Sequence, residues 1–446
     1  MLETLEILTD AAAATMPPPT SQRRSAAARR SVLADWLKVQ PVSVARHAAA
    51  LRPFTREEFG DTAASPTEGH LQAANALITG LRGGLLRLAA EVTRSSAVAQ
   101  RDPSSEHLEQ MLGTKDRAQG WVHAIEKIWD FYFELFGQRQ SQFANWLLSC
   151  DRIALDCYQQ AFLNVGEAKS IPAPPPFVYM RTGMSPATFR RAVPLKRLGL
   201  QPNPFPLIEL PYHRLTNPWT LGAILHEVSH NLQNDLGLDE VVPRTIAARL
   251  IEHGIPPSVA AVWKRWNRET FADMSGLLLG GPGVVESLMD VVGRSRPNTM
   301  SYHEGAAHPT PYLRTFISCE LLRRMGFPRE AAEFRQAWMR LYPDPRRSDI
   351  PRQMLKTFND AHAIVVDTIC FRKYPQLGGK SLAEVMPFGP KEQIIVEEAA
   401  RRLAAGTDPG VVPERFLIGA LRFAIDRRLA WPGVLTKNFY TELARR

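Results

Sequence analysis

The residues with the clearest capacity for chemistry lie between Asn217 and Gly237, around the run His226-Glu227-Val228-Ser229-His230. Asn217 suits a helix N-cap, Pro218 a first helical residue and Gly237 a C-terminal stop. The spacing therefore predicts one helix with both histidines well inside it. Residues four apart share a helix face, so two imidazoles can converge on one metal ion. Glu227 follows directly on the first histidine and can reach a water on that ion from the side. Such a constellation offers Lewis-acid and general-base chemistry together.

Two further stretches extend it. Ser258–Leu279 has a second helical pattern containing Glu269-Thr270-Phe271-Ala272-Asp273. Glu269 and Asp273 are four apart and share their face with Val262 and Trp266. Carboxylates beside buried aromatics are costly unless they are paired or bound to metal. Glu269 could complete a two-histidine, one-carboxylate zinc set that leaves a fourth position for water. Asp273 could accept the ring N–H of a ligand histidine and fix its tautomer. Further on, His308-Pro309-Thr310-Pro311-Tyr312-Leu313-Arg314 leads into an amphipathic helix ending near Gly326. His308 and Arg314 could place positive charge or donors over a developing oxyanion, and Tyr302 and His303 are further candidates.

HEVSH, then ETFAD after 38 residues, then HPTPYLR, resembles the gluzincin zinc metallopeptidases. In motif order it is most similar to the branch holding the CAAX prenyl proteases and the bacterial membrane heat-shock protease, which has HExxH, ExxAD and HPxxxxR. The match spans Pro206–Gly326, about a quarter of the chain. The resemblance implies a zinc cofactor on His226, His230 and Glu269, with Glu227 as general base. It implies that Asp273 supports a ligand histidine and that His308 and Arg314 line the substrate side. The reaction implied is peptide hydrolysis: Glu227 takes a proton from the zinc-activated water and passes it to the leaving amine. Members of that branch are commonly embedded in or anchored to a membrane. Here no window reaches 18 uninterrupted apolar residues, and Met274–Gly293 carries Glu286 and Asp290.

The elements that must position these residues read as mainly α, in an α+β arrangement. Residues 1–33, with Pro17–Pro19 and two arginine doublets, read as a flexible tail. Residues 34–170 read as a helical N-terminal region, with apolar residues at helical spacing in Trp121–Phe136 and Phe143–Ala161. Ile171–Pro176 cannot be helical and opens a metallopeptidase core over 171–342. Its strand candidates are Phe177–Met180 and Pro206–Leu210, a small sheet beside the active helix. The second reads as an edge strand that could bind an extended peptide by strand addition. Residues 343–446 read as a helical C-terminal region, with helices near 351–368, 390–405 and 413–429.

Composition bounds the remaining readings. At 446 residues the chain suits two or three domains, and its 45% hydrophobic and 22% charged content excludes disordered and collagenous classes. The N-terminus has acidic residues where a secretory leader needs basic ones, so a soluble, cytoplasmic protein is expected. Cys150, Cys157, Cys319 and Cys370 form no CxxC pair, and the first two read as small core residues. Net charge is +9 from an arginine excess, but with no long basic run, so no nucleic-acid partner is expected. A peptide or protein substrate is expected; the oligomeric state is left open. The alternative to an enzyme is a helical binding or regulatory protein with a zinc site and little catalysis.

Overall fold

The computed structural model describes residues 31–165 and 171–446. It is 70% helical and 5% strand, which makes the class mainly α with a small sheet. Among the described residues no helix is long and apolar enough to cross a membrane. Most of the expected tail, 1–30, lies outside those residues, and helix α1 (Val32–Ala50) starts at its end, where Ser31 accepts the Ala34 amide. The chain divides into two compact units, whose boundaries fall inside α2 (Glu68–Arg101) and α3 (Ser105–Gly137).

The first unit consists of α1 with most of α2 and α3. Apolar residues of all three, including Val44, Leu85, Val92, Val122 and Ile125, form its core. Ser96 donates to the Leu37 carbonyl at 2.5 Å and Arg82 to the Ala48 carbonyl at 2.7 Å, so polar groups facing that core are satisfied by backbone.

The second unit carries everything else that follows. Helix α4 (Ala144–Asn164) leads to strands β1 (Phe177–Met180), β2 (Ala187–Phe189) and β3 (Leu207–Leu210). Cys150 and Cys157 are buried in its core, as their spacing predicts. Strand β3 pairs parallel to β1 and antiparallel to β2, so the order is β1-β3-β2. The expectation for Pro206–Leu210 is thereby corrected: it is the central strand, with Leu207, Ile208 and Leu210 buried. Leu207 and Ile208, adjacent and both buried, face opposite sides of the strand, so it is covered on both. The edges are β1 and β2, and sequence reading missed β2 because three residues of mixed polarity carry no pattern.

Helix α5 (Gly222–Asp235) holds the two histidines. Its start differs from the predicted one. Pro218–Thr220 forms a separate 3₁₀ turn, and the Asn217 amide points back to the His213 carbonyl at 2.9 Å instead of capping. The Asn217 carbonyl is taken by the amide and hydroxyl of Thr220, which closes that turn before α5 begins. Gly237 ends the segment as expected, with φ +72°. Helices α6 (Val241–Glu252) and α7 (Pro257–Gly280) follow, then α8 (Gly283–Val292), α9 (Pro311–Arg324) and α10 (Pro328–Leu341). In α7 every residue from Glu269 to Gly280 is buried, as in a helix surrounded on all sides.

The C-terminal helices α11 (Arg352–Val366), α12 (Pro390–Ala405), α13 (Phe416–Asp426) and α14 (Pro432–Arg445) continue the same apolar core as α5 and α7. No break in packing falls at residue 343. Arg415, just before α13, donates to Asp156 of α4 at 2.8 Å, and Tyr440 of α14 donates to the Leu215 carbonyl at 2.6 Å. The helix α14 itself had no counterpart in the sequence reading.

Close approach of α5 and α7 depends on glycine. A Cβ at Gly276 would lie 3.3 Å from the backbone nitrogen of His226, and backbone cannot yield as a side chain can. Gly276→Val should therefore cost about 1–3 kcal/mol of stability through overpacking. Urea denaturation checks this; an unchanged midpoint would show that the helices part freely.

Candidate metal centre

Helix α5 presents His226 and His230 one turn apart, and α7 presents Glu269 opposite them. The two Nε2 atoms lie 3.1 Å apart. Glu269 brings Oε2 to 3.4 Å from His226 Nε2 and Oε1 to 3.6 Å from His230 Nε2. One donor atom from each of the three residues lies within 4.8 Å of the others. Among the described residues this is the one such grouping of His, Cys, Asp or Glu.

These separations permit a fit test. Ligand atoms on a tetrahedral zinc, at bonds of about 2.0–2.1 Å, lie roughly 3.3 Å from one another. The separations of 3.1, 3.4 and 3.6 Å span that edge. Nitrogen with carboxylate oxygen is also a zinc-type donor set. The three residues could hold such an ion with little movement.

Asp273, one turn beyond Glu269, organises the donors. Its Oδ1 accepts His226 Nδ1–H at 2.8 Å, which turns Nε2 toward Glu269. The nitrogen of His230 that corresponds, Nδ1, is buried with no partner among the described atoms. Arg314 of α9 clamps the other side of Asp273, with Nε to Oδ2 at 2.8 Å and Nη2 to Oδ1 at 2.7 Å. Arg314 also lines the cavity. Two of its donors are spent on Asp273 in a fork geometry, so it acts on the site through that carboxylate.

His308 is brought to the site as expected. Its Nε2 lies 3.3 Å from Glu269 Oε2, and its side chain is largely exposed at the cavity mouth. Tyr302 instead packs edge-on against Trp266, and His303 faces Ser301 and an adjoining smaller cavity.

The electrostatics follow from burying so much charge together. Burial pushes the Glu227 carboxyl up to about 7, and the negative Glu269 adds to the rise while His226 opposes it. Burial also disfavours charge on Glu269, yet hydrogen bonding and the charge of His226 outweigh it and hold the group down at about 2. His226 is the converse: burial lowers it, but Asp273 and Glu269 raise it to about 10. His230 is lowered to about 3 by burial and by the charge on His226. Asp273 and Glu269 together thus favour positive charge between the imidazoles, a demand that a cation meets as well as a proton.

The centre forms part of the wall of a cavity of about 590 Å³. One side is apolar, with Val284, Val285 and Leu288 of α8. Gly222 at the start of α5 permits α8 to approach, since a Cβ there would lie 2.7 Å from Ser287. The other side includes Ala187 and Thr188 of the β2 edge, with Arg190 and Arg268. Asn231 ties α5 to that edge by donating to Thr188 Oγ1 at 2.7 Å, and Thr188 in turn donates to the Leu207 carbonyl at 3.1 Å. Sequence reading missed Thr188, Arg190, Asn231 and Arg268, although Asn231 and Arg268 directly adjoin the metal-ligand motifs. No family model, curated protein or solved structure matches the chain.

The clamp on Asp273 makes a stability prediction. Arg314→Met leaves a buried carboxylate without its cation and should cost about 3–5 kcal/mol. Arg314→Lys should recover only part of this, since an ammonium cannot grip both oxygens in plane. Urea denaturation of the metal-free protein is the measurement. A loss below about 1 kcal/mol for Arg314→Met would mean that the guanidinium is not committed to Asp273.

Proposed function

We propose that the protein is a zinc-dependent metallopeptidase, the activity that its motif resemblance to gluzincins also implies. The observation that carries this reading is the convergence of His226, His230 and Glu269 in the wall of a cavity with Glu227 beside them. A zinc ion bound there supplies Lewis acidity and a water that ionises near neutral pH.

The chain's own residues account for the rest of the reaction. Asp273 fixes His226 in the tautomer that offers Nε2 to the metal, and Arg314 fixes Asp273. Glu227 lies on the cavity wall and is involved in none of the ion pairs around Asp273. It is the base that accepts a proton as water adds to the peptide carbonyl and returns it to the departing amine. His308, at the mouth, can donate to the carbonyl oxygen as negative charge builds there. An extended peptide can add to the β2 edge, whose Ala187 and Thr188 line the cavity. Strand addition gathers main-chain hydrogen bonds, which suits a peptide better than a compact metabolite.

The test is metal content by elemental analysis of the full-length protein, with turnover of a quenched fluorescent peptide library. About one zinc per chain is expected, lost in His230→Ala. Chelation should abolish turnover and zinc restore it, while Glu227→Gln should retain zinc and lose turnover by roughly 10²–10⁴-fold. No zinc after incubation with the metal overturns the site. Zinc without turnover of any peptide favours a helical binding protein with a metal site.

A further inference from the structure

The charged groups that line the cavity are not all paired with one another. Asp273 is matched by Arg314, and Glu269 faces His226, His230 and His308. Two further guanidinium groups line the same cavity, Arg190 and Arg268. Arg190 follows directly on the edge strand β2 and is half-buried. Arg268 precedes Glu269 on α7 and is exposed. Neither guanidinium makes an ion pair or hydrogen bond with a described residue.

Elsewhere in this unit several arginines are engaged with carboxylates. Arg415 holds Asp156, Arg422 holds Glu286 and Asp290, and Arg249 holds Asp367. Arg190 has carboxylates in its neighbourhood, Asp235 and Asp239, but neither comes within ion-pair distance. Asp235 is occupied in accepting from the Tyr158 hydroxyl at 2.8 Å and from Asn234 at 3.1 Å. Burial disfavours the charge on Arg190, and the like charge of Arg268 disfavours it further. Arg190 keeps its charge half-buried beside a second cation with no ion pair to offset it, a cost that an anion entering the cavity would relieve.

We propose that Arg190 and Arg268 form a carboxylate-binding subsite, so that the peptides taken by this cavity carry an acidic side chain or a free C-terminal carboxylate. This rests on the metallopeptidase reading for the word peptide, but not for the site. A strand added along β2 runs toward Arg190 at the strand's end, which sets the carboxylate at one end of the bound segment. The planar guanidinium matches a carboxylate in bidentate geometry. The apolar wall of Val284, Val285 and Leu288 would receive an apolar residue of the same peptide.

Equilibrium binding separates this subsite from catalysis. The full-length Glu227→Gln protein is titrated, zinc-loaded, into four fluorescent peptides that differ only in Glu or Gln at one position and in a free or amidated C-terminus. Peptides with a carboxylate should bind roughly 10–100-fold more tightly than the neutral form, as charge-assisted hydrogen bonds allow. The amidated Glu peptide and the free-ended Gln peptide identify which carboxylate is read. Adding Arg190→Gln and Arg268→Gln should reduce the preference to about one while affinity for the neutral peptide stays unchanged, which also shows the variant to be folded. Equal affinity for all four peptides, a preference that survives both substitutions, or no binding of any peptide would overturn the subsite. If the preference is found but the wild-type protein turns over no peptide of the library, the metallopeptidase reading fails and the subsite stands. If the four peptides are cleaved without preference, the reverse holds.

Discussion

The carboxylate of Asp273 lies where three helices meet, and the geometry of the centre follows from how it is satisfied. It sits on α7, receives His226 from α5 and is gripped by Arg314 from α9. A buried charge in this position is tolerated only while both partners stay in place. The requirement couples the three helices: any shift that frees Arg314 also releases the tautomer of His226. The placement of His226 against Glu269 and the packing of the unit are therefore maintained by one set of contacts.

That arrangement needs the helices closer together than ordinary side chains allow. Gly276 lets α7 lie against the backbone of α5 at His226, and Gly222 lets α5 lie against α8. Glycine in a helix costs roughly 0.5–1 kcal/mol relative to alanine, and here the return is distance. With α5 and α7 in contact, a side chain as short as Glu269 reaches both imidazoles. The sheet is held to the same helix by the link from Asn231 through Thr188 to Leu207. The β2 strand, Glu227 and the two imidazoles thus share α5 as their common support.

The cavity is asymmetric in its lining. Helix α8 makes one side apolar, whereas the β2 side ends in Arg190 and faces Arg268. Arginine is abundant in this chain, 43 against 11 lysines, and most buried examples in the second unit hold carboxylates across elements. Arg190 and Arg268 on the cavity hold no carboxylate among the described residues.

The local features of the centre were legible in the residues alone. Spacing of four on a helix, a glutamate beside the first histidine and a glycine stop depend only on helical periodicity and backbone preference. So did the strands Phe177–Met180 and Leu207–Leu210, whose apolar runs mark burial. What could not be read was set by pairing across sequence distance. A buried apolar strand looks alike at the centre or the edge, so the position of Leu207–Leu210 waited on its two neighbours. Asn217 has the side chain of a cap, but a competing 3₁₀ turn takes its carbonyl. Arg314 was identifiable as a cation near the site, while its commitment to Asp273 rests on α7 and α9 meeting there. Arg190 and Arg268 gave no motif, because an unpaired charge is defined by its surroundings. Periodicity is written along the chain, whereas partnership between charges exists only once the chain has closed on itself.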